Sequence, residues 1–391
     1  MRTLHTVLPL FFLAGLFPSA FGASVPAAGR GLVVAAYVFP DGTALKQGQI
    51  NARALTRINY AFANIKDGRM VPGYPEDAAN LTLLTALRRQ NPKLSVLISV
   101  GGWSWSGQFS DVALTEESRQ VFIQSVMEFI SRYRLDGLDV DWEYPGQRGA
   151  GNVYRKEDKQ NFTLLLKELR ERFDRETKRT HKQLYLTIAA EAAQDYLDHT
   201  EMDKVQSYVD DVNLMAYDYY MPGPDHITGN IAPLFPSPDD PRQASANKTV
   251  LAFEQAGVPA AKIVLGVPFY GRAWRDVEDR NHGLFQHGKG GPEAHVPYST
   301  IAQTMLGHGF TRYWDSAASV PYLYNPDERV FVSYEDAESL AAKCKYVKEH
   351  KLAGIMLWNY SGDPSGVLLE AIDHALLGAE NMPEPAGKRG R

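Results

Sequence analysis

The sequence Leu135-Asp136-Gly137-Leu138-Asp139-Val140-Asp141-Trp142-Glu143-Tyr144-Pro145 places three acids at alternate positions, with large apolar residues between them. Successive side chains of a β-strand point to opposite faces, so a strand here would carry Asp139, Asp141 and Glu143 on one face. An ordinary half-buried strand also alternates, but its neighbours rarely tolerate three adjacent like charges. Such a row at the end of a strand is typical of proton chemistry, because neighbouring charges keep one carboxyl protonated near neutral pH.

Short β-branched runs alternate with longer helical patterns along the chain. The strands are predicted over residues 32–38, 57–64, 94–100, 137–142, 184–190, 211–216, 263–269 and 354–358. Alternating β and α patterns imply parallel strands with right-handed crossovers. Eight such units predict an α/β fold, the (β/α)8 TIM barrel, whose chemistry lies at the carboxyl ends of the strands. An open doubly wound sheet is the alternative, but no glycine-rich phosphate fingerprint follows the first strand.

The helical patterns are clearest over residues 78–89, 116–133, 156–179, 336–350 and 366–377. Thr115 is expected to cap the second of these helices, because two acids follow it in the first turn. The connection between the seventh and eighth strands is too long for a simple loop. We therefore predict a small α+β insertion domain over residues 272–338, with the barrel formed by residues 30–271 and 339–378.

The two ends of the chain are predicted to lie outside the folded domain. Residues 1–22 resemble an export signal: Arg2 and His5 precede an apolar run that ends at Ala20-Phe21-Gly22, so cleavage is expected near Ala23. The run is short for a spanning helix, so a secreted or periplasmic protein with no membrane anchor after cleavage is expected. The Pro/Gly/Arg-rich residues 379–391 are expected to be disordered.

Composition excludes several classes of function. The formal net charge of −5 gives no basic field for nucleic acid. Cys344 is the single cysteine, so no intrachain disulfide is possible, and its helical surroundings predict a buried structural thiol. The ten histidines show no metal-like spacing, so neither a metal nor a cofactor is expected. Aromatic residues make up 11% of the chain, which fits either a well-filled core or a ring-lined cleft for an uncharged ligand.

On a barrel strand, the acid face must point inward and the apolar face outward against helices. The three acids then rise along the barrel axis, and Glu143 lies highest, at the mouth. This position makes Glu143 the best placed of the three to protonate a leaving group. Asp136 is out of phase with the row, so a structural role is expected for it.

The stretch resembles the Asp-x-x-Asp-x-Asp-x-Glu signature of glycoside hydrolase family 18, the chitinases. The similarity continues in order over about residues 32–377, with the long insertion where this family has its insertion domain. Five further segments resemble its strand motifs: Asn59-Tyr60-Ala61-Phe62, Ser99-Val100-Gly101-Gly102-Trp103, Met215-Ala216-Tyr217-Asp218, Gly266-Val267-Pro268-Phe269-Tyr270-Gly271-Arg272 and Gly354-Ile355-Met356-Leu357-Trp358. One motif could arise by chance, whereas six in register make the assignment strong.

The resemblance implies a retaining glycosidase that lacks a carboxylate nucleophile. Instead, the acetamido carbonyl of the substrate attacks the anomeric carbon and forms an oxazolinium intermediate. The catalytic residues implied are Glu143 as the acid and then the base, and Asp141 as the group that orients the acetamido N–H. Asp139 is implied to share a proton with Asp141. Tyr217 is implied to hydrogen-bond the acetamido carbonyl side.

The resemblance also implies a set of substrate-binding residues. Trp358 matches the aromatic floor beneath the distorted sugar, and Asp218 helps to bind that sugar. Tyr37 and Ser99 support the acid row from below, and Trp103 forms a stacking platform on the leaving-group side. The remaining matches are Phe62, Gly102, Met215, Tyr270 and Arg272. The expected partners are chitin or N-acetylglucosamine oligosaccharides, bound by a monomer.

One departure from the family bears on the substrate. Many relatives place Gly-Pro-Trp after the Tyr-Asp pair, whereas this chain has Tyr219-Tyr220-Met221-Pro222-Gly223. The missing platform favours soluble oligosaccharides or accessible chain ends over crystal faces. Two alternatives to a chitinase stay open: an endo-β-N-acetylglucosaminidase acting on N-glycans, and a catalytically weak chitin-binding lectin. The insertion favours the chitinase, because it builds a wall that deepens the cleft.

Overall fold

A computed structural model describes residues 31–291 and 294–378 of the chain. The predicted export signal, its cleavage point and the predicted disordered tail lie outside the described residues. The strands are β1 (Val33–Val38), β2 (Arg57–Lys66), β3 (Arg69–Pro72), β4 (Ser95–Gly101), β5 (Gly137–Asp141), β6 (Tyr185–Glu191), β7 (Asp211–Met215), β8 (Ile263–Pro268), β9 (Tyr270–Trp274), β10 (His295–Pro297), β11 (Thr311–Asp315), β12 (Val320–Asn325), β13 (Val330–Ser333) and β14 (Gly354–Trp358).

Eight parallel strands close into a barrel in the order β1-β2-β4-β5-β6-β7-β8-β14, and β14 pairs again with β1. This arrangement confirms the predicted (β/α)8 TIM barrel and excludes the open sheet. Each of the eight predicted strands coincides with a barrel strand to within two residues at either end. The short strand β3 was not predicted; it pairs with β2 in an antiparallel hairpin.

The helices are α1 (Asp77–Ala86), α2 (Phe109–Leu114), α3 (Glu116–Tyr133), α4 (Asp158–Thr180), α5 (Gln194–Asp198), α6 (Met202–Val205), α7 (Ala246–Gln255), α8 (Tyr298–Thr300), α9 (Ala337–Glu349) and α10 (Val367–Leu377). The predicted cap of α3 is present, since the Thr115 side chain accepts a hydrogen bond from the backbone N–H of Ser118, 3.1 Å away. Within the described ranges, no helix combines the length and apolar character needed to span a membrane. Cys344 is buried in α9, and burial raises the pKa of its thiol to about 12.

The two faces of β5 have the environments that the alternation predicts. Leu138 and Val140 are fully buried on the outer face. Trp142, one residue beyond the strand, stacks on Phe109 of α2 at 5.2 Å between ring centroids and meets Phe162 of α4 edge-on at 5.7 Å. These apolar contacts fix the strand against the helical layer. The acids must therefore face the barrel axis.

The chain between β8 and β14 forms a second, antiparallel sheet in the order β10-β9-β13-β12-β11. Its first strand, β9, begins at Tyr270, because Tyr270 already pairs with Pro297 of β10. The sheet therefore starts two residues before the predicted start of the insertion at residue 272. The domain boundaries themselves stay a prediction.

A buried ion pair joins the end of this segment to the barrel. Lys343 of α9 and Glu335, just before that helix, form a salt bridge, and neither side chain is exposed to solvent. Lys343 also donates to the backbone carbonyl of Ala232, 2.6 Å away in the loop after β7. Ser339 donates to Glu335 at 2.5 Å, which satisfies the second carboxylate oxygen.

Candidate active site

A cleft of about 750 Å³ lies at the carboxyl ends of the barrel strands. All predicted site residues line it except Asp139, Ser99 and Gly102. The predicted residues in its wall are Tyr37, Phe62, Trp103, Asp141, Glu143, Met215, Tyr217, Asp218, Tyr270, Arg272 and Trp358. The cleft therefore collects residues from both ends of the chain.

Gly102 acts through its backbone behind the wall. Its N–H donates to the carbonyl of Asp141 at 2.8 Å, which ties the loop after β4 to the end of β5. Its φ of +72° is in the left-handed region, and a Cβ there would approach the Phe62 ring to 2.6 Å. Both observations explain why glycine is needed at this position.

Asp139 lies beneath the cleft floor and is completely buried. Four side chains donate hydrogen bonds to its carboxylate: Tyr37 at 2.8 Å, Ser99 at 2.8 Å, Thr187 at 2.5 Å and Asn213 at 2.9 Å. Two of these donors engage each carboxylate oxygen, so the side chain is held at both oxygens. No direct hydrogen bond to Asp141 is found among the described residues, and proton sharing between the two acids stays a prediction.

Asp141 lies above Asp139 and is only 3% exposed. Burial first, and then the charges of Glu143 and Asp139, raise its pKa well above the usual range. Within the described part of the chain, its Oδ1 atom has no hydrogen-bond partner. The upper part of the acid row thus offers a buried oxygen that a ligand could engage.

Glu143 is held by its backbone at the top of the row. Its N–H donates to Ser106 Oγ at 2.9 Å, and its carbonyl accepts from Asn152 Nδ2 at 2.6 Å. Burial raises the pKa of Glu143 to about 7; a hydrogen bond with Tyr144 lowers it in part, and the charges of Glu191 and Asp218 add to the rise. A carboxyl with this pKa can donate a proton near neutral pH and take one back afterwards, as a general acid and base must.

A charged and aromatic group closes one side of the cleft. Arg272 of β9 makes a bidentate ion pair with Asp218, with distances of 2.9 and 2.7 Å. The Arg272 guanidinium lies 5.0 Å from the centroid of the Tyr270 ring, and Tyr217 meets that ring edge-on at 6.3 Å. The antiparallel sheet therefore contributes directly to the site, because Tyr270 and Arg272 both belong to β9.

Aromatic rings form another part of the cleft wall. Trp358, at the end of β14, stacks on Phe62 and Phe39 with interplanar angles of 25° and centroid distances of 5.6 and 5.9 Å. Trp103 is 53% exposed at the rim and lies 6.4 Å from Tyr144. Ring faces of this kind suit the apolar faces of an uncharged polar ligand such as a sugar.

Several site residues were missed from the sequence. Thr187 and Asn213 contact Asp139 and lie on predicted strands. That their side chains point into the barrel is clear only once the strand register is known. Glu191 lines the cleft one residue beyond the predicted end of its strand. Phe39, Tyr144 and His295 also line it, and no motif marked them. In the ranges 31–291 and 294–378, no cluster of three or more His, Cys, Asp or Glu could hold a metal ion.

The family model described as glycosyl hydrolases family 18 matches residues 33–363, which is most of the chain. The chain belongs to this family, which confirms the predicted enzyme class, a glycoside hydrolase. Among curated proteins, chitinase A1 of Niallia circulans is 41% identical over 306 residues, covering 74% of this chain and 44% of that protein. The chain thus spans less than half of this relative's length.

Two solved structures share both fold and sequence with the chain. One is a glycoside hydrolase family 18 N-acetylglucosaminidase from Paenibacillus barengoltzii, with a TM-score of 0.81 and 42% identity over 88% of this chain and 100% of that one. The other is chitinase ChiW from Paenibacillus sp. strain FPU-7, a multi-modular enzyme, with a TM-score of 0.84 and 40% identity over 89% of this chain and 33% of that one.

Proposed function

We propose that the protein is an exported chitinase that hydrolyses β-1,4 linkages between N-acetylglucosamine units with retention of configuration. The observation that carries the proposal is the unpartnered Oδ1 atom of Asp141 beneath Glu143. A buried acceptor without a partner is costly, and the N–H of a sugar's 2-acetamido group would satisfy it. The similarity to chitinase A1 supports the same substrate class.

In the first step, Glu143 transfers its proton to the glycosidic oxygen, and the bond from that oxygen to the anomeric carbon breaks. The acetamido carbonyl oxygen of the same sugar bonds to the anomeric carbon and forms the oxazolinium. Asp141 accepts a hydrogen bond from the acetamido N–H, which orients the group and stabilises its positive charge. Tyr217 donates a hydrogen bond on the carbonyl side.

In the second step, the Glu143 carboxylate removes a proton from water. The water oxygen bonds to the anomeric carbon from the side that the leaving group occupied, and the bond to the acetamido oxygen breaks. Glu143 is protonated again, and the configuration is retained because two inversions have occurred. Asp139 anchors the row from below and, in this scheme, shares a proton with Asp141.

The cleft wall supports an uncharged, ring-shaped substrate. Trp358 offers a flat face beneath the reacting sugar, and Asp218, held by Arg272, can accept hydrogen bonds from its hydroxyls. On the far side the chain has Tyr219 and Met221 rather than a tryptophan, both in the cleft wall. A flexible methionine is a weaker platform than an indole ring, which favours soluble oligosaccharides or free chain ends.

A second candidate function is release of single N-acetylglucosamine units from chain ends. The Paenibacillus barengoltzii structure, whose described activity is N-acetylglucosaminidase, is 42% identical and is covered over its full length. Because the same catalytic residues would serve both activities, the two functions are distinguished by their products. Disaccharides and longer fragments support the chitinase, whereas monomers alone support the second function.

The proposal is tested by incubating the protein with chitotetraose and chitohexaose in N-acetylated form, and separately with a high-mannose N-glycan. We expect cleavage of the chito-oligosaccharides, with the products identified by chromatography. NMR should show that the product formed first has the β configuration. Activity confined to the N-glycan would overturn the chitinase in favour of the endo-β-N-acetylglucosaminidase. Binding without cleavage of any substrate would support the lectin.

Substrate assistance makes a separate prediction. A thiazoline derived from N-acetylglucosamine mimics the oxazolinium, and transition-state and intermediate mimics bind more tightly than substrates, by about 10²-fold or more. We expect inhibition at concentrations well below the KM of the oligosaccharide, measured from initial rates. Rates that stay unchanged at thiazoline concentrations above that KM would argue for a protein nucleophile.

Export is the part of the proposal that rests on the sequence of residues 1–22 alone. The arrangement of Arg2, a following apolar run and Ala20-Phe21-Gly22 supports it. When the full chain is expressed in a secreting host, the mature protein should begin near residue 23 by N-terminal sequencing. A protein that stays inside the cell and still begins at residue 1 would contradict export.

A further inference from the structure

Glu191 lines the cleft on a strand next to the acid row, and the proposed mechanism gives this acidic side chain no role. It is the last residue of β6, which lies next to β5 in the barrel. The pairing of the two strands joins Asp139 to Thr187 and Val140 to Ile188. Glu143 follows the end of β5 at Asp141 by two residues, so Glu143 and Glu191 both lie where these adjacent strands end.

The direction in which the side chains of β6 point follows from the residues lower in the barrel. Thr187 donates a hydrogen bond to Asp139, so both side chains point into the barrel. Side chains two and four residues further along a strand share its face. Ala189 and Glu191 should therefore face the axis as well, and both do line the cleft. Glu143 lines the same cleft, so two carboxyls at the ends of adjacent strands face one cavity.

We propose that Glu191 is a positioning residue for the acid, whose negative charge, across from Glu143, favours the protonated form of the Glu143 carboxyl. The inference rests on the proposed function, since it concerns the proton that Glu143 gives to the glycosidic oxygen. Two carboxyls that face one buried cavity resist ionising together, so one proton stays with the pair to a higher pH.

The other charged groups around the pair act in the same direction. The charge of Asp218, which follows β7, also raises the pKa of Glu143, and Arg272 is already paired with Asp218. Asp141, at the end of β5, interacts with the charge of Glu143 as well. Burial first, and then the charge of Asp195 in α5, raise the pKa of Glu191 to about 7. Tyr144 and Tyr196, the neighbouring phenols, have pKa values raised by burial, so they stay neutral in the same range. The hydrogen bond between Tyr144 and Glu143 lowers the pKa of Glu143 and therefore opposes the effect of Glu191.

The first test is the pH profile of kcat/KM for Glu191→Gln on a soluble chito-oligosaccharide. We expect rates within a few-fold of the parent at pH 5, and a basic limb displaced by about one pH unit toward acid, which is about a tenfold lower rate at pH 8. Glu191→Asp keeps the charge and should restore most of the parent profile. Glu171→Gln, on the exposed face of α4, removes the same charge elsewhere and should leave the profile unchanged.

Superimposable profiles for the parent and Glu191→Gln would overturn the inference. A loss of about 10³-fold or more at every pH would also overturn it, because Glu191 would then take part in bond making or breaking. If the parent cleaves no chito-oligosaccharide, the proposed function fails instead, and a measurement without substrate decides the pairing.

That measurement is a double-mutant cycle in thermal stability with Glu143→Gln, Glu191→Gln and the double variant. At pH 8.5, where both carboxyls are ionised, each single variant should raise Tm, and the second substitution should add less than the first. At pH 5, where both are protonated, the coupling should disappear. Strictly additive Tm changes at both pH values would show that the two carboxyls do not interact.

Discussion

Replacing Glu143 with Gln should lower kcat on chito-oligosaccharides by about 10²–10⁴-fold, because the amide cannot donate a proton to the leaving oxygen. The KM should change little, since the amide fills the same space in the cleft and the aromatic floor is untouched. Steady-state rates on N-acetylated chitotetraose measure both constants. Glu171→Gln serves as the matched control, because it makes the same substitution on an exposed helical face.

The same variant should not lose stability. A carboxyl whose folded pKa is raised binds its proton more tightly in the native state, so stability falls as pH rises from the usual glutamate value to about 7. The Gln side chain removes that dependence, and the Tm of Glu143→Gln should equal or exceed the Tm of the parent at pH 8. A variant that keeps the parent kcat would contradict the role of Glu143 as the acid.

Glu335→Gln should destabilise the fold by about 3–5 kcal/mol, because it leaves the Lys343 charge buried without its counterion. Burial alone lowers the pKa of Lys343 well below its usual range, so the ammonium depends on its surroundings to stay charged. The free energy of unfolding in urea measures the loss. Adding Lys343→Met should recover most of it, since an apolar side chain then fills the site.

The control for this prediction lies on the same helix. Glu349 pairs with Lys345 at 3.8 Å, and both side chains are mostly exposed. Exposed pairs contribute little, so Glu349→Gln should change the free energy of unfolding by no more than about 1 kcal/mol. Equal losses for Glu335→Gln and Glu349→Gln would show that the buried pair contributes no special stabilisation.

The sequence predicted what depends on local pattern. The alternation at residues 137–142 gave both the inward acids and the outward face that packs Trp142 against α2 and α4. The unpredicted hairpin also had a local signal: Asp67-Gly68 joins β2 to β3, and both residues have positive φ, as an Asp-Gly hairpin turn requires. That dipeptide was a sufficient reason to place a turn there.

Other features depend on contacts between distant segments, which alternation alone does not fix. The proposed role of Glu191 depends on the position of β6 beside β5, and the donors to Asp139 depend on which strands surround it. The start of β9 at Tyr270 depends on its pairing with β10, more than 20 residues further along the chain. Pairing partners follow from the closed fold, so candidate residues of the site could be named from local motifs, whereas their hydrogen-bond network could not.

The anchoring of Asp139 also links the chemistry to the order in which the molecule is assembled. Its donors come from β1, β4, β6 and β7, which start as early as residue 33 and end as late as residue 215. A nascent chain that has passed Glu143 already contains all three acids, yet it lacks β6 and β7, which supply two of the four donors to Asp139. Hydrolytic competence should thus be acquired late in folding, when the ring of strands is complete.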